Sequence, residues 1–147
     1  MRYWGLRWPD EPQFAQAWRR VSPVFFAASI HAPFLMQTPE GEFRVNTELY
    51  ARLIHAGTPT DFWIFPEELH QKTQPTHLLS VNERNLDWFR FWLQGAEDWI
   101  PEKIAQYARW RDMRKRQCRD LNRWALPWYC SMTQRIDQEA QAKKLFH

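Results

Sequence analysis

The chain has 147 residues, 44% of them hydrophobic and 16% aromatic, with ten Trp and ten Phe; this fits one domain with enough apolar surface for a core. A formal net charge of +3 is too modest to imply a nucleic-acid partner by itself. The apolar stretch Val24 to Ile30 is broken by Ser29 and is far short of the roughly 20 residues of a membrane span. Charges arrive before any apolar run after Met1, so no signal peptide is read, and a soluble, cytoplasmic protein is expected.

Residues 1–17 are an irregular segment rich in Trp, Pro and Arg. A short helix is predicted from about Pro12 to Arg20, with Asp10 able to cap it, Pro12 in its first turn and Ser22-Pro23 ending it. Phe34-Leu35-Met36 is a short apolar run that leaves through Thr38-Pro39 and Gly41, as a buried strand entering a loop would. A helix follows over 47–56: Leu49, Leu53 and Ile54 recur at helical spacing, Asn46 or Thr47 can cap it and Gly57 stops it. A second strand is predicted at 60–65, where Phe62, Trp63, Ile64 and Phe65 lack alternation, as in a strand buried on both faces of a parallel sheet.

After the loop "EELHQKTQ" comes a long amphipathic helix, about 76–94. Leu79, Leu86, Phe89 and Leu93 form its expected buried face, and Gly95 its stop. The stretch 96–147 reads as a basic helical extension. Cys118 and Cys130 make no CxxC pair, no Cys/His cluster has zinc spacing and no glycine-rich phosphate loop occurs, so no metal or cofactor is expected. Two isolated thiols in a reduced cytosol are the favoured reading of the cysteines, with a disulfide as the alternative.

The order strand, helix, strand, helix implies right-handed crossovers and an α/β architecture with parallel strands. Two strands alone make a poor sheet, so the expected sheet is incomplete. In such sheets functional groups gather past the carboxyl ends of the strands. Glu40 and Glu42 follow the first strand and His70 the second. A carboxylate on one loop can then orient an imidazole on the other and stabilise its charged form. Glu40 is the rival of Glu42 for that part. Glu67 and Glu68 are expected to face solvent, and His31, His55 and His77 to be surface residues.

The stretch "SPVFFAASIHAPFLMQTPEGEFRV…ELYARLIHAGTPTDFWIFPEELH…ERNLDWFRFWLQG" resembles the C-terminal part of a prolyl oligopeptidase family catalytic domain, an α/β-hydrolase fold. The resemblance covers roughly residues 18–95. It implies a serine peptidase with a peptide substrate, places the catalytic acid on Glu42 and the catalytic histidine on His70, and puts Leu69 where the family has Gly. The Glu at the acid position, the altered loop before it and the "QP.H" segment at Gln74-Pro75-Thr76-His77 resemble most closely the branch of isopeptidases that open lasso peptides.

The family's third group is missing from this sequence. The glycines, Gly5, Gly41, Gly57 and Gly95, include no pair four apart, so there is no G-x-S-x-G elbow. The chain therefore reads as a C-terminal piece of a longer peptidase, inert alone, with the missing N-terminal part as a partner. The alternative is a non-catalytic interaction or nucleic-acid-binding module built on 108–124, where seven Lys/Arg against two Asp are interleaved with Trp110 and Trp124.

Overall fold

The computed structural model describes residues 11–119 and 127–131. In chain order they form helix α1 (Pro12–Val21), a 3-10 segment (Pro23–Ser29), strand β1 (Phe34–Pro39), a 3-10 turn (Glu40–Glu42) and helix α2 (Phe43–His55). Strand β2 (Thr60–Phe65), helix α3 (Pro75–Phe89), a π turn (Arg90–Gln94), a 3-10 turn (Pro101–Lys103) and helix α4 (Ile104–Arg119) complete the order. Asp10, the expected cap of the first helix, lies outside the described residues, as do Trp124 and most of the last twenty residues. The residue that precedes α1 is Glu11, and its side chain makes no capping bond.

The described residues are mostly helical around a small sheet of two parallel strands, β1 and β2. The register runs from Phe34 opposite Thr60 to Pro39 opposite Phe65. Crossover by α2 makes the strands parallel. Alternate residues therefore serve opposite faces. Phe34, Met36 and Phe62 meet Leu49, Leu53 and Tyr50 of α2, together with Val24, Ala27 and Ile30. Leu35 meets a second and larger cluster on the other side: Trp88, Phe91, Trp92, Tyr107, Trp110, Met113, Cys118, Tyr129 and Cys130. That cluster is an aromatic lattice, with Trp110 perpendicular to Trp88 at a centroid distance of 5.0 Å and to Tyr107 at 5.3 Å.

The 96–147 stretch thus contributes to the core through α4. Several cationic side chains of α4 are engaged as well. Arg109 pairs with Asp61 and Arg111 with Glu97. Arg114 lies over the ring of Phe91, 3.7 Å from its centroid. Trp110 is fully buried and offers no face for stacking on a base.

Three expectations need correction. Cys118 and Cys130 are joined in a disulfide with their Cα atoms 5.4 Å apart, not left as two thiols: the last turn of α4 faces the short helical segment that holds Cys130, inside the aromatic core. Disulfides persist in oxidising compartments, which removes the support for a reduced cytosol. The second concerns α3. Leu79, Leu86, Phe89 and Leu93 point outward and are exposed, while Trp88, Phe91 and Trp92 are buried. The third concerns β2, which is not covered on both faces throughout, since Ile64 is exposed. Among the described residues no helix is long and apolar enough to cross a membrane.

Helix ends set the loops. Gly57 takes φ 76° after α2, and the amides of Gly57 and Thr58 donate to the carbonyls of Ile54 and Leu53 at 3.0 Å. This is the left-handed stop that glycine permits. It returns the chain into β2 within a few residues. At the other end α2 begins earlier than predicted. The turn Glu40–Glu42 runs straight into it, so Asn46 and Thr47 lie inside the helix and bond back to the carbonyls of Glu42 and Arg44.

Candidate active site

Parallel strands of equal length place the two following loops at one edge of the sheet. β1 ends at Pro39, and the 3-10 turn carries Glu40 and Glu42 to the start of α2. β2 ends at Phe65, and the turn from Pro66 carries His70. The two side chains meet: His70 Nδ1 lies 2.8 Å from Glu42 Oε1. A carboxylate oxygen can only accept unless protonated, so Nδ1 is the donor and Nε2 is the nitrogen left to take a proton. Glu42 occupies the position before the first residue of α2, but its carboxylate makes no capping bond and is available to the imidazole. The side chains are 85% exposed for His70 and 38% for Glu42. This pair stands at an open surface.

Glu40 does something else. Its Oε2 accepts from the backbone amide of Glu67 at 3.2 Å, tying the acid turn to the histidine turn. Glu67 holds φ 52°, a left-handed backbone that few residues other than glycine adopt. Leu69, at the position where the family has Gly, has no such angle. Leucine is thus accommodated here without left-handed strain, and its side chain is exposed.

Glu68 and His77 depart from expectation. Glu68 is buried, not solvent-facing. Its Oε2 accepts from the Thr73 amide at 2.8 Å and the Thr73 hydroxyl at 3.4 Å. Its Oε1 accepts from the Gln74 amide at 3.0 Å and from His77 Nδ1 at 2.9 Å. Burial pushes this carboxyl upward, but the two amides and His77 outweigh it and hold the group below its ordinary value. His77 also stands edge-on to Phe65, with ring centroids 5.3 Å apart. His31 and His55 are exposed, as expected. Sequence patterning missed Glu68 because its partners lie five to nine residues ahead, in the loop and the first turn of α3, where no periodicity of the loop itself points to them. The available signal was Pro75 at the start of α3, which leaves the loop amides just before it in need of an acceptor.

The chain is 38% identical over 105 residues, 71% of its length, to the lasso peptide isopeptidase AtxE2 of Asticcacaulis excentricus. That similarity, together with the structural one, supports a fragment of the lasso peptide isopeptidase branch of the prolyl oligopeptidase family. It spans only 15% of that relative. A solved structure of the AtxE2 isopeptidase without ligand superimposes with a TM-score of 0.66 at 38% identity, over 74% of this chain and 16% of that one. A serine-to-alanine variant with Astexin3-dC4 bound gives a TM-score of 0.65 at 39% identity, over 68% of this chain and 15% of that one. No family model matches the chain. The two-stranded parallel unit with its crossover helix is therefore a partial α/β structure shared with isopeptidases. The aligned length exceeds the 18–95 stretch that carries the recognisable motifs.

Proposed function

We propose that the chain supplies the acid and the base of a serine-peptidase triad, Glu42 and His70, for hydrolysis of a peptide or isopeptide bond, and that the serine comes from another polypeptide segment. The observation that carries this reading is the 2.8 Å contact between Glu42 and His70 in a chain 38% identical to an isopeptidase. On the same reading β1 and β2 are one end of a larger α/β-hydrolase sheet, whose further strands pair along an open edge.

The chemistry follows from the geometry. His70 Nε2 takes the proton of an incoming serine hydroxyl as the oxygen attacks the scissile carbonyl. The ring then gives that proton to the leaving amine. Glu42 keeps the Nδ1 proton in place throughout and stabilises the imidazolium. Water repeats the sequence to release the acyl group. The exposure of His70 suits a base whose partner arrives from outside this set of residues. A relative solved with a peptide bound supports a peptide as the substrate class.

The test is reconstitution. The chain is combined with the remainder of an isopeptidase relative, which brings a serine elbow, and cleavage of an isopeptide-bonded peptide is followed. Turnover should appear in the mixture and in neither part alone, and His70→Ala should abolish it. An assembled mixture that turns over equally well with His70→Ala would refute the reading.

A further inference from the structure

The loop that carries His70 has almost no packing of its own. His70 and Leu69 are both exposed, and Pro66 and Glu67 precede them in a turn with an unusual backbone angle. The order of the segment comes from inside. The side chain of Glu68 points into the loop and gathers four donors from three residues: the Thr73 amide and hydroxyl, the Gln74 amide and His77 Nδ1. Its side chain is only 1% exposed. Gln74 returns a further bond, from its Nε2 to the Glu67 carbonyl at 3.1 Å. Lys72 reaches the Gln37 carbonyl on β1 at 3.2 Å. Residues 68–74 therefore close on themselves around one buried carboxylate, with His70 at the outer side of the closure.

We propose that Glu68 is the positioning residue of this site: its carboxylate closes the 68–74 loop and so holds His70 where Glu42 can reach it. The proposal rests on the reading of His70 as the base and adds a residue to it. The reasoning is one of elimination by contact. Neither ring packing nor burial fixes His70, and its side-chain bond to Glu42 fixes one ring nitrogen, not the backbone from which the ring projects. The backbone is fixed by bonds at both ends of the loop: Glu68 accepts the Thr73 and Gln74 amides at one end, and at the other Glu40 accepts the Glu67 amide while Gln74 Nε2 reaches the Glu67 carbonyl. A carboxylate suits this place because every group that faces it is a donor, and acceptors on both oxygens are needed. An amide in its place would turn one donor against others and leave buried groups unpaired.

The experiment uses the full chain labelled with 15N. The neutral-ring tautomer of His70 is read from long-range 15N–1H correlations, and backbone amide exchange is followed alongside. In the unmodified chain the His70 proton should reside on Nδ1. Glu68→Gln should remove that preference and speed exchange of the Thr73 and Gln74 amides by about tenfold or more, with the indole signal of Trp110 unchanged. Two outcomes would overturn the proposal: Glu68→Gln leaving both readouts as they were, or faster amide exchange with an undisturbed His70 tautomer, which would make Glu68 a loop staple without effect on the ring. Failure of the underlying pair shows separately, because Glu42→Gln would then leave the His70 tautomer unchanged. Should Glu68→Gln not fold, Gln74→Pro decides the matter. Gln74 has φ −71°, which proline accepts, and the change deletes one amide that Glu68 holds together with the Nε2 bond to the Glu67 carbonyl, so Gln74→Ala, which removes only the latter, is run beside it as the reference. Relative to that reference, Gln74→Pro should shift the His70 tautomer in the same direction, and an unshifted tautomer would overturn the proposal.

Discussion

Asp61 lies buried within β2 because four hydrogen bonds converge on it. Trp63 Nε1 donates at 2.9 Å, Trp110 Nε1 at 2.6 Å, and Arg109 through Nε and Nη2, both at 3.1 Å. A buried carboxylate without such partners would be strongly unfavourable. Asp61→Ala would leave two indole N–H groups and a guanidinium without their acceptor, and is expected to cost about 3 kcal/mol, measured by urea unfolding. A loss within experimental error of zero would mean that the network contributes nothing. Glu68 gives a pH prediction. Its folded value is depressed, so its stabilisation is complete above the unfolded carboxylate value of about 4.3 and fades as pH falls through the lower folded value. The Thr73 and Gln74 amides, which Glu68 holds, should lose exchange protection in acid before those of α3 and α4 do. Simultaneous loss across all of them would contradict this. That an acid of the Glu40–Glu42 turn would meet His70 was legible from strand direction and loop position, and the choice of Glu42 over Glu40 came from the family resemblance. The burial of Glu68 was not, since it depends on which way a short loop folds back.

At the scale of elements, α3 shows how a correct period can still select the wrong face. The stripe Leu79, Leu86, Phe89 and Leu93 is real, but the helix has a second apolar face at Trp88, Phe91 and Trp92. The second face wins the interior because it meets Tyr107 and Trp110 of α4 in edge-on and tilted aromatic contacts, which add to their area burial. The sequence before Gly95 held both stripes, and only the aromatic partners supplied by α4 decide between them. Phe91→Ala should therefore cost about 3–5 kcal/mol of stability, whereas Leu86→Glu should change it by about 0.5 kcal/mol or less. Thermal or chemical unfolding of the two variants checks this, and the reverse order would show that α3 faces the other way. Elsewhere the place of β2, read as roughly 60–65, was legible and is observed at Thr60–Phe65. Its ends are marked by Gly57 to Pro59 on one side and Pro66 on the other, and turn chemistry of that kind is local.

The described residues carry more apolar surface than their two strands and four helices cover. Leu79, Leu86, Phe89, Leu93 and Trp99 are exposed together with Leu69 near the site. A two-stranded sheet also leaves unpaired backbone along its outer edges. The isolated chain should therefore self-associate. Light scattering should report species larger than a monomer, and a sharp monomeric peak with cooperative unfolding would contradict the expectation. The small extent of the sheet was legible from the strand count, whereas a nucleophile supplied from elsewhere is a reading proposed from the glycine spacing. What the sequence did not disclose is how firmly α4 belongs to the core, because its run of arginines reads as solvated until Asp61, Glu97 and the ring of Phe91 are seen to engage them. The central claim is that Glu42 and His70 activate a serine that this chain does not itself provide. Labelling with a fluorophosphonate probe tests it most directly. The chain alone should take no label. Combined with the serine-bearing remainder of an isopeptidase relative, it should produce labelling on that remainder, slowed about 10⁴-fold by Glu42→Gln and abolished by His70→Ala. Label appearing on Ser22, Ser29, Ser80 or Ser131 of the chain itself and lost with His70→Ala, or labelling of the partner that ignores both substitutions, would contradict it.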